Sequence, residues 1–418
     1  MRPNRLRSRL AHIPASGYYV NVKPATLPLW SSASPPAAGG LRFAEFFAGI
    51  GLVRLGLEAA GWSVAYANDI DRVKRDMYDV HFGDADEHFH VGDIHKVDAK
   101  DIPTVQLATA SFPCTDLSVA GGRAGIRAGE SSAFWGFIDV LRGMGKRRPP
   151  IVLLENVVGF LTSHEGQDFT EAMLALNELG YAVDPFILDA RWFVPQSRPR
   201  LFVVATRAPS LKVRGLTPTR TRPPALIRAI LASPEVKWRL SDHPEPPAKS
   251  SKQLADILDN LPDSAAEWWP RKRAQYLFEQ LSERHLAVAK SMMTGDQWSY
   301  GTVFRRVRQQ ANGEKRSMAE LRTDGVAGCL RTPKGGSGRQ ILFRAGRGKY
   351  SVRLLTPREC ARLMGADSFA ISGSLNEALF GFGDAVCVPA ITWIAKHVLP
   401  VRAVQASDLD NVVVGAST

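Results

Sequence analysis

Short apolar runs, each closing on polar residues and followed by a helix-forming stretch, recur along the first half of this chain. Arg42-Phe43-Ala44-Glu45-Phe46-Phe47 reads as a strand, Gly49 to Gly51 as a turn, and Val53 to Ala60 as a helix stopped by Gly61. Residues 63–67 read as a second strand ending on Asn68-Asp69, and a helix is predicted from Asp71 to about Val80. Residues 105–110, 151–154 and 201–205 predict further strands, and Asp168 to Leu179 a helix that stops at Gly180. This alternation predicts an α/β fold around a parallel sheet. In such folds ligands bind at the carboxyl ends of the strands.

Those ends carry Gly49, Gly51, Asp69, Asp93, Cys114, Glu155 and Asn156, which places them along one rim. Each has an ordinary alternative taken singly. A lone cysteine is more often a small buried hydrophobe, and either aspartate could be a helix N-cap. Together they point to a site. The turn Phe47-Ala48-Gly49-Ile50-Gly51 lets backbone approach a ligand closely, and Asp69 falls where an acid commonly takes ribose hydroxyls. An adenosine-bearing cofactor is the natural expectation.

The chain has 418 residues, of which 45% are hydrophobic and 9% aromatic, enough for two or three domains with a full core. Its four cysteines show no CxxC spacing, which suggests neither a disulfide framework nor a zinc cluster and fits a reducing cytoplasm. No run is read as a membrane span. The first forty residues hold Arg2, Arg5, Arg7, Arg9 and Lys23 with no acid, and their prolines favour a flexible basic arm over a transit peptide. The net charge of +12 is uneven: residues 206–350 carry 27 Lys and Arg against 13 Asp and Glu, a balance of +14. A polyanion is the natural partner for such an insert, although a solvated basic surface has the same composition.

From Phe43 to about Trp393 the motifs resemble those of the DNA (cytosine-5)-methyltransferases, bacterial restriction-modification type, in family order. The glycine turn resembles the S-adenosylmethionine loop, and Phe112-Pro113-Cys114 with Ser118 the nucleophile motif. Glu155-Asn156-Val157, Gln196-Ser197-Arg198-Pro199-Arg200, the stretch 356–365 and Gly383-Asp384-Ala385-Val386 match four later motifs. The resemblance implies a Rossmann-like S-adenosylmethionine-dependent methyltransferase domain with a smaller, irregular target-recognition domain. It implies Cys114 as nucleophile, Glu155 as proton donor to ring nitrogen 3 of cytosine, and Asn156 as orienter of the cysteine loop. Arg198 and Arg200 would stabilise the thiolate, the base or its phosphate. Cofactor contacts would come from Phe47, Ala48, Gly49, Ile50, Gly51, Asp69, Ile70, Asp93, Ile94, Pro113, Asp384, Ala385 and Val386. The chain departs from the family at Leu52, where a glycine is usual, at Asp69 for Glu, at Asp384 for Asn, and at Ala385 for a small hydroxyl residue.

The expected organisation is a basic arm over 1–40, a catalytic domain over 41–206, target recognition over 207–350, and a return to the catalytic domain with a tail over 351–418. Gly121, Gly122, Gly125 and Gly129 fit a mobile loop closing over an extruded base. Trp268-Trp269-Pro270-Arg271-Lys272-Arg273, Arg305-Arg306-Val307-Arg308 and 331–339 resemble DNA contact loops. Double-stranded DNA is the expected partner, with a restriction endonuclease as functional counterpart, no membrane, and a monomeric enzyme. An RNA cytosine methyltransferase of the same fold and a non-catalytic DNA-binding scaffold are the alternatives. The large basic insert weighs against the first, and intact Cys114, Glu155 and Arg198 against the second.

Overall fold

The computed structural model describes residues 40–113, 126, 132–213, 215–309, 313, 315–332 and 339–400. The basic arm, Cys114, Ser118, the four glycines assigned to a closing loop, the segment 333–338 and the tail from 401 lie outside the described residues.

The larger sheet is built from β1 (Arg42–Phe46), α1 (Leu52–Glu58), β2 (Ser63–Asp69), α2 (Arg72–Phe82), α3 (Ala85–His88), β3 (Phe89–Val91), β4 (Leu107–Ala110), α4 (Ala133–Gly143), β5 (Ile151–Val157), α5 (Gln167–Glu178), β6 (Ala182–Asp189) and β7 (Pro199–Thr206). Its strand order is β3-β2-β1-β4-β5-β7-β6, with only β7 running against its neighbours. β1 pairs with β2 on one side and β4 on the other, so the order reverses at β1. That switch point opens a crevice at the carboxyl ends. Phe46 is opposite Ala110, and Ala110 is opposite Leu154, so the turns after β1, β4 and β5 emerge side by side.

Apolar layers cover both faces. Phe46, Phe112, Phe134, Phe137, Phe160 and Phe169 fill one. Phe43, Leu57, Trp62, Phe186 and Phe202 fill the other, together with Ile391 and Ile394 from the chain's return. Gly56 allows that return, because a Cβ there would stand 2.6 Å from Ile391 Cβ.

β6 has no counterpart in the predicted strands, because Pro185 lies inside it. As the edge strand it tolerates proline. The outward N–H groups of Val183 and Ile187 bond Lys237 and Thr221 carbonyls, and Pro185 lies midway between them at the same parity.

The rest comprises α6 (Pro224–Leu231), α7 (Arg271–Glu279), α8 (Glu283–Met293), β8 (Ser299–Gln309), β9 (Lys315–Arg322), β10 (Ile341–Gly346), β11 (Lys349–Leu354), α9 (Pro357–Leu363), α10 (Leu375–Asp384) and α11 (Val388–His397). β8 to β11 form an antiparallel sheet ordered β11-β10-β8-β9. The stretch read as irregular therefore contains regular structure. Its beginning belongs to the larger sheet, since Leu226, Ile230, Val236 and Trp238 lie in the same core as Phe169 and Leu176. One run, Leu375–His397, does have the length and composition of a membrane span, contrary to the sequence reading. It is two helices parted at Ala385, and most of it is buried in the protein.

Candidate active site

The turn after β1 is held in a conformation that side chains resist. Phe47, Gly49 and Gly51 all have positive φ, at 57°, 56° and 81°. A Cβ on Gly51 would stand 2.6 Å from the Phe82 ring and 2.7 Å from Tyr78, so glycine is required there. Around Gly49 there is room, the nearest atom to such a Cβ being Lys74 Cδ at 4.0 Å. Asp69, buried at the end of β2, accepts from Gly49 N at 2.8 Å through Oδ2 and from Asp71 N at 2.9 Å through Oδ1. Burial raises its carboxyl, against the pull of Lys74 and the two amides. Asn68 donates to the His90 and Gly92 carbonyls, which brings Asp93 to the same rim. Asp93 caps the following turn through His95 N at 3.1 Å. Ile70 is 70% exposed beside Asp69, whereas Ile94 is buried in the core. Leu52, where the family has glycine, is buried in a core cluster with Ile50 and Met77.

Beside this turn, β5 delivers Glu155 and Asn156. The Asn156 side chain donates from Nδ2 to the Phe112 carbonyl at 3.2 Å, and its Oδ1 accepts from Val157 N at 2.8 Å. It thereby fixes the backbone two residues before Cys114. Glu155 is buried and its Oε1 lies 3.0 Å from Arg200 Nε. Desolvation raises its carboxyl above the ordinary range, while Arg200, Arg198 and the Ser111 hydroxyl pull the other way. A carboxyl raised by burial is suited to donating a proton near neutral pH.

Arg198 and Arg200 do different things. Arg198 is 2% exposed and donates to carbonyls of Leu330 at 2.8 Å, Gly383 at 3.1 Å and Ala385 at 2.7 Å. It pins two distant segments, at Leu330 and at Gly383 to Ala385, instead of facing the rim as an open cation. Gln196 works beside it, donating to the Leu363 carbonyl at 2.7 Å and accepting from Leu330 N at 2.9 Å. Of the last motif, Val386 is buried under the larger sheet, Ala385 supplies the carbonyl that Arg198 holds, and Asp384 reaches Lys74.

Cys329 was not singled out from sequence. Its Sγ lies 3.3 Å from Arg198 Nη1 and 4.0 Å from Arg200 Nη2. Burial raises this thiol, but Arg198, Arg200 and Arg331 outweigh it and hold the thiol below its usual range. Proximity to Glu155 through Arg200 is a signal only folding reveals.

A seven-stranded sheet with a single reversed strand, a glycine turn at its switch point and a buried Glu-Asn pair beside it define a Rossmann-like methyltransferase. The profile of the C-5 cytosine-specific DNA methylases matches residues 41–399. The chain belongs to that family and is a DNA (cytosine-5)-methyltransferase. It is 28% identical over 367 residues to the type II methyltransferase M.HhaI of Haemophilus parahaemolyticus, covering 86% of this chain and 94% of that protein. Similarity to the DNA-cytosine methyltransferase of Escherichia coli K12 is 28% over 400 residues, covering 86% and 77%. Among solved structures, the fold is similar to that of the S. pombe Dnmt2 methyltransferase, with TM-score 0.54, 18% identity, and 85% and 96% coverage.

Proposed function

We propose that this enzyme methylates carbon 5 of a cytosine extruded from a specific duplex DNA sequence, through a covalent adduct at Cys114, as the modification half of a restriction-modification system. The observation that carries this reading is the buried Glu155, with a raised carboxyl, next to Asn156, whose side chain holds the backbone entering Cys114.

Carbon 5 of cytosine is a poor nucleophile. The Cys114 thiolate adds to carbon 6, and Glu155 donates its proton to ring nitrogen 3, so that the ring becomes enamine-like. Arg200 orients Glu155. Arg198 and Gln196 position the surrounding backbone. After methylation, water takes the proton from carbon 5, the thiolate is expelled, and the proton on nitrogen 3 returns to Glu155, which restores the aromatic ring.

The open space at Gly49, the half-satisfied Asp69 carboxylate and the exposed Ile70 fit an adenosine-bearing cofactor. S-adenosylmethionine there would supply an electrophilic methyl group. Asp69 and Asp93 would hold its sugar and base, and the turn 47–51 would lie along its length.

The second sheet supports a role in DNA recognition. Arg305 on β8 and Arg339, two residues before β10, both act on Arg273, which is stacked 3.9 Å over Trp269. Clustered guanidinium groups suit phosphates. Trp268, by contrast, packs against Arg344 and Arg353 and serves the fold. Bisulfite sequencing of DNA from a strain expressing the enzyme tests the reading. Modified cytosines confined to one short sequence support it, and modified RNA with unmodified DNA would refute it.

A further inference from the structure

Lys74 on α2 and Asp384 at the end of α10 are 310 positions apart, yet Lys74 Nζ lies 2.8 Å from Asp384 Oδ2. The lysine stem crosses the glycine turn, with Cδ 4.0 Å from where a Gly49 Cβ would stand. Its side chain is 19% exposed and that of Asp384 is 47% exposed, so the pair spans from shelter to solvent. α10 is seated against the turn at Gly381, where a Cβ would meet Ile50 Cγ2 at 3.0 Å and Met77 Cε at 3.1 Å. Asp69 and Asp71 act on the same ammonium, and Asp69 also accepts the Gly49 N–H. One cation is thus held among three carboxylates at the edge of the cleft. An ion pair in this setting adds little to stability by itself.

We propose that Lys74 is a cofactor-binding residue that neutralises Asp384 and donates its remaining N–H groups to the α-carboxylate of the cofactor's methionine portion. The proposal rests on the S-adenosylmethionine reading above. An ammonium has three donors, and the Asp384 bond uses one. Without the lysine, an incoming carboxylate would meet Asp384 as a like charge. With it, the three acids and one cation leave a net negative rim that suits the ligand's sulfonium and ammonium charges.

Calorimetry with two probes tests this. S-adenosylhomocysteine carries the amino-acid carboxylate, and 5′-methylthioadenosine lacks the whole amino-acid portion. Lys74→Met is expected to weaken S-adenosylhomocysteine binding about tenfold or more, the scale of a charge-assisted hydrogen bond. It should leave 5′-methylthioadenosine within about twofold, and Lys74→Arg should recover most of the loss. Unchanged S-adenosylhomocysteine affinity in Lys74→Met overturns the proposal and leaves the cofactor reading intact. Equal weakening of both probes also overturns it, since the lysine would then only shape the cleft. Wild-type enzyme that bound neither probe would overturn the cofactor reading itself.

Discussion

Arg200 Nε lies 3.0 Å from Glu155 Oε1, in an ion pair whose two side chains are 15% and 11% exposed. The arginine opposes the effect of burial, so the carboxyl stays above its ordinary range but less far than burial alone would take it. Removing the cation raises the carboxyl further. The fall of kcat on the alkaline side, where Glu155 loses its proton, should therefore move to higher pH in Arg200→Gln. Glu155→Gln should lose roughly 10²-fold or more in kcat and retain DNA binding. Rate measurements across pH check both, and an unmoved alkaline limb in Arg200→Gln would remove Glu155 as the acid.

Glu359 stands at the junction of the two sheets. It takes both arms of Arg353 from β11, with side chains 0% and 1% exposed, caps α9 at Thr356, and accepts from Asp259 N. Breaking a buried pair from one side leaves a charge unpaired. Glu359→Ala should cost about 3–5 kcal/mol in denaturant unfolding, and adding Arg353→Met should return part of that loss.

Glu45 lies inside β1 with both carboxyl oxygens buried. Desolvation pushes its carboxyl from the ordinary value of 4.5 up to about 8, against the nearby Arg54. With the folded value raised, its contribution to stability is present below about 4.5 and is lost as pH rises through about 8. The wild type should lose up to about 1.4 kcal/mol per pH unit across that window relative to Glu45→Gln. Parallel unfolding curves for the two proteins from pH 5 to about 8 would contradict this.

Exchanging residues 251–350 for the equivalent segment of a related enzyme should move the methylated sequence with it. The exchange begins after Trp238 because α6 and Trp238 belong to the core of the larger sheet. A hybrid that stays active on the original sequence would place recognition in the catalytic body.

The parallel part of the fold was legible because its strands are short, apolar and closed by polar residues, as at Asn68-Asp69 and Glu155-Asn156. β6 was hidden by Pro185, which only its edge position permits. β8 to β11 were hidden because polar and charged side chains such as Arg305, Arg306 and Arg344 interrupt the apolar pattern, and the β8–β10 pairing, from Val303↔Ile341 to Ser299↔Ala345, is too far apart in the chain to leave a local mark. The placement of Asp69, Glu155 and Asn156 at strand ends was readable from the sequence. The division of labour between Arg198 and Arg200 was not, because two arginines in one motif look alike until one is seen to hold the carbonyls of Leu330, Gly383 and Ala385. Lys74 and Cys329 were likewise invisible, since their partners lie far away in the chain.

The central claim is a covalent bond between Cys114 and the target cytosine. Duplex DNA carrying 5-fluorocytosine at the methylated position blocks the last proton loss, because fluorine replaces the hydrogen at carbon 5. Incubated with that DNA and S-adenosylmethionine, the wild-type enzyme should form a denaturation-resistant complex whose mass equals protein plus methylated DNA. Cys114→Ser should bind the same DNA without forming it. A Cys114→Ser variant that became trapped, or that methylated cytosine at the wild-type rate, would contradict the account.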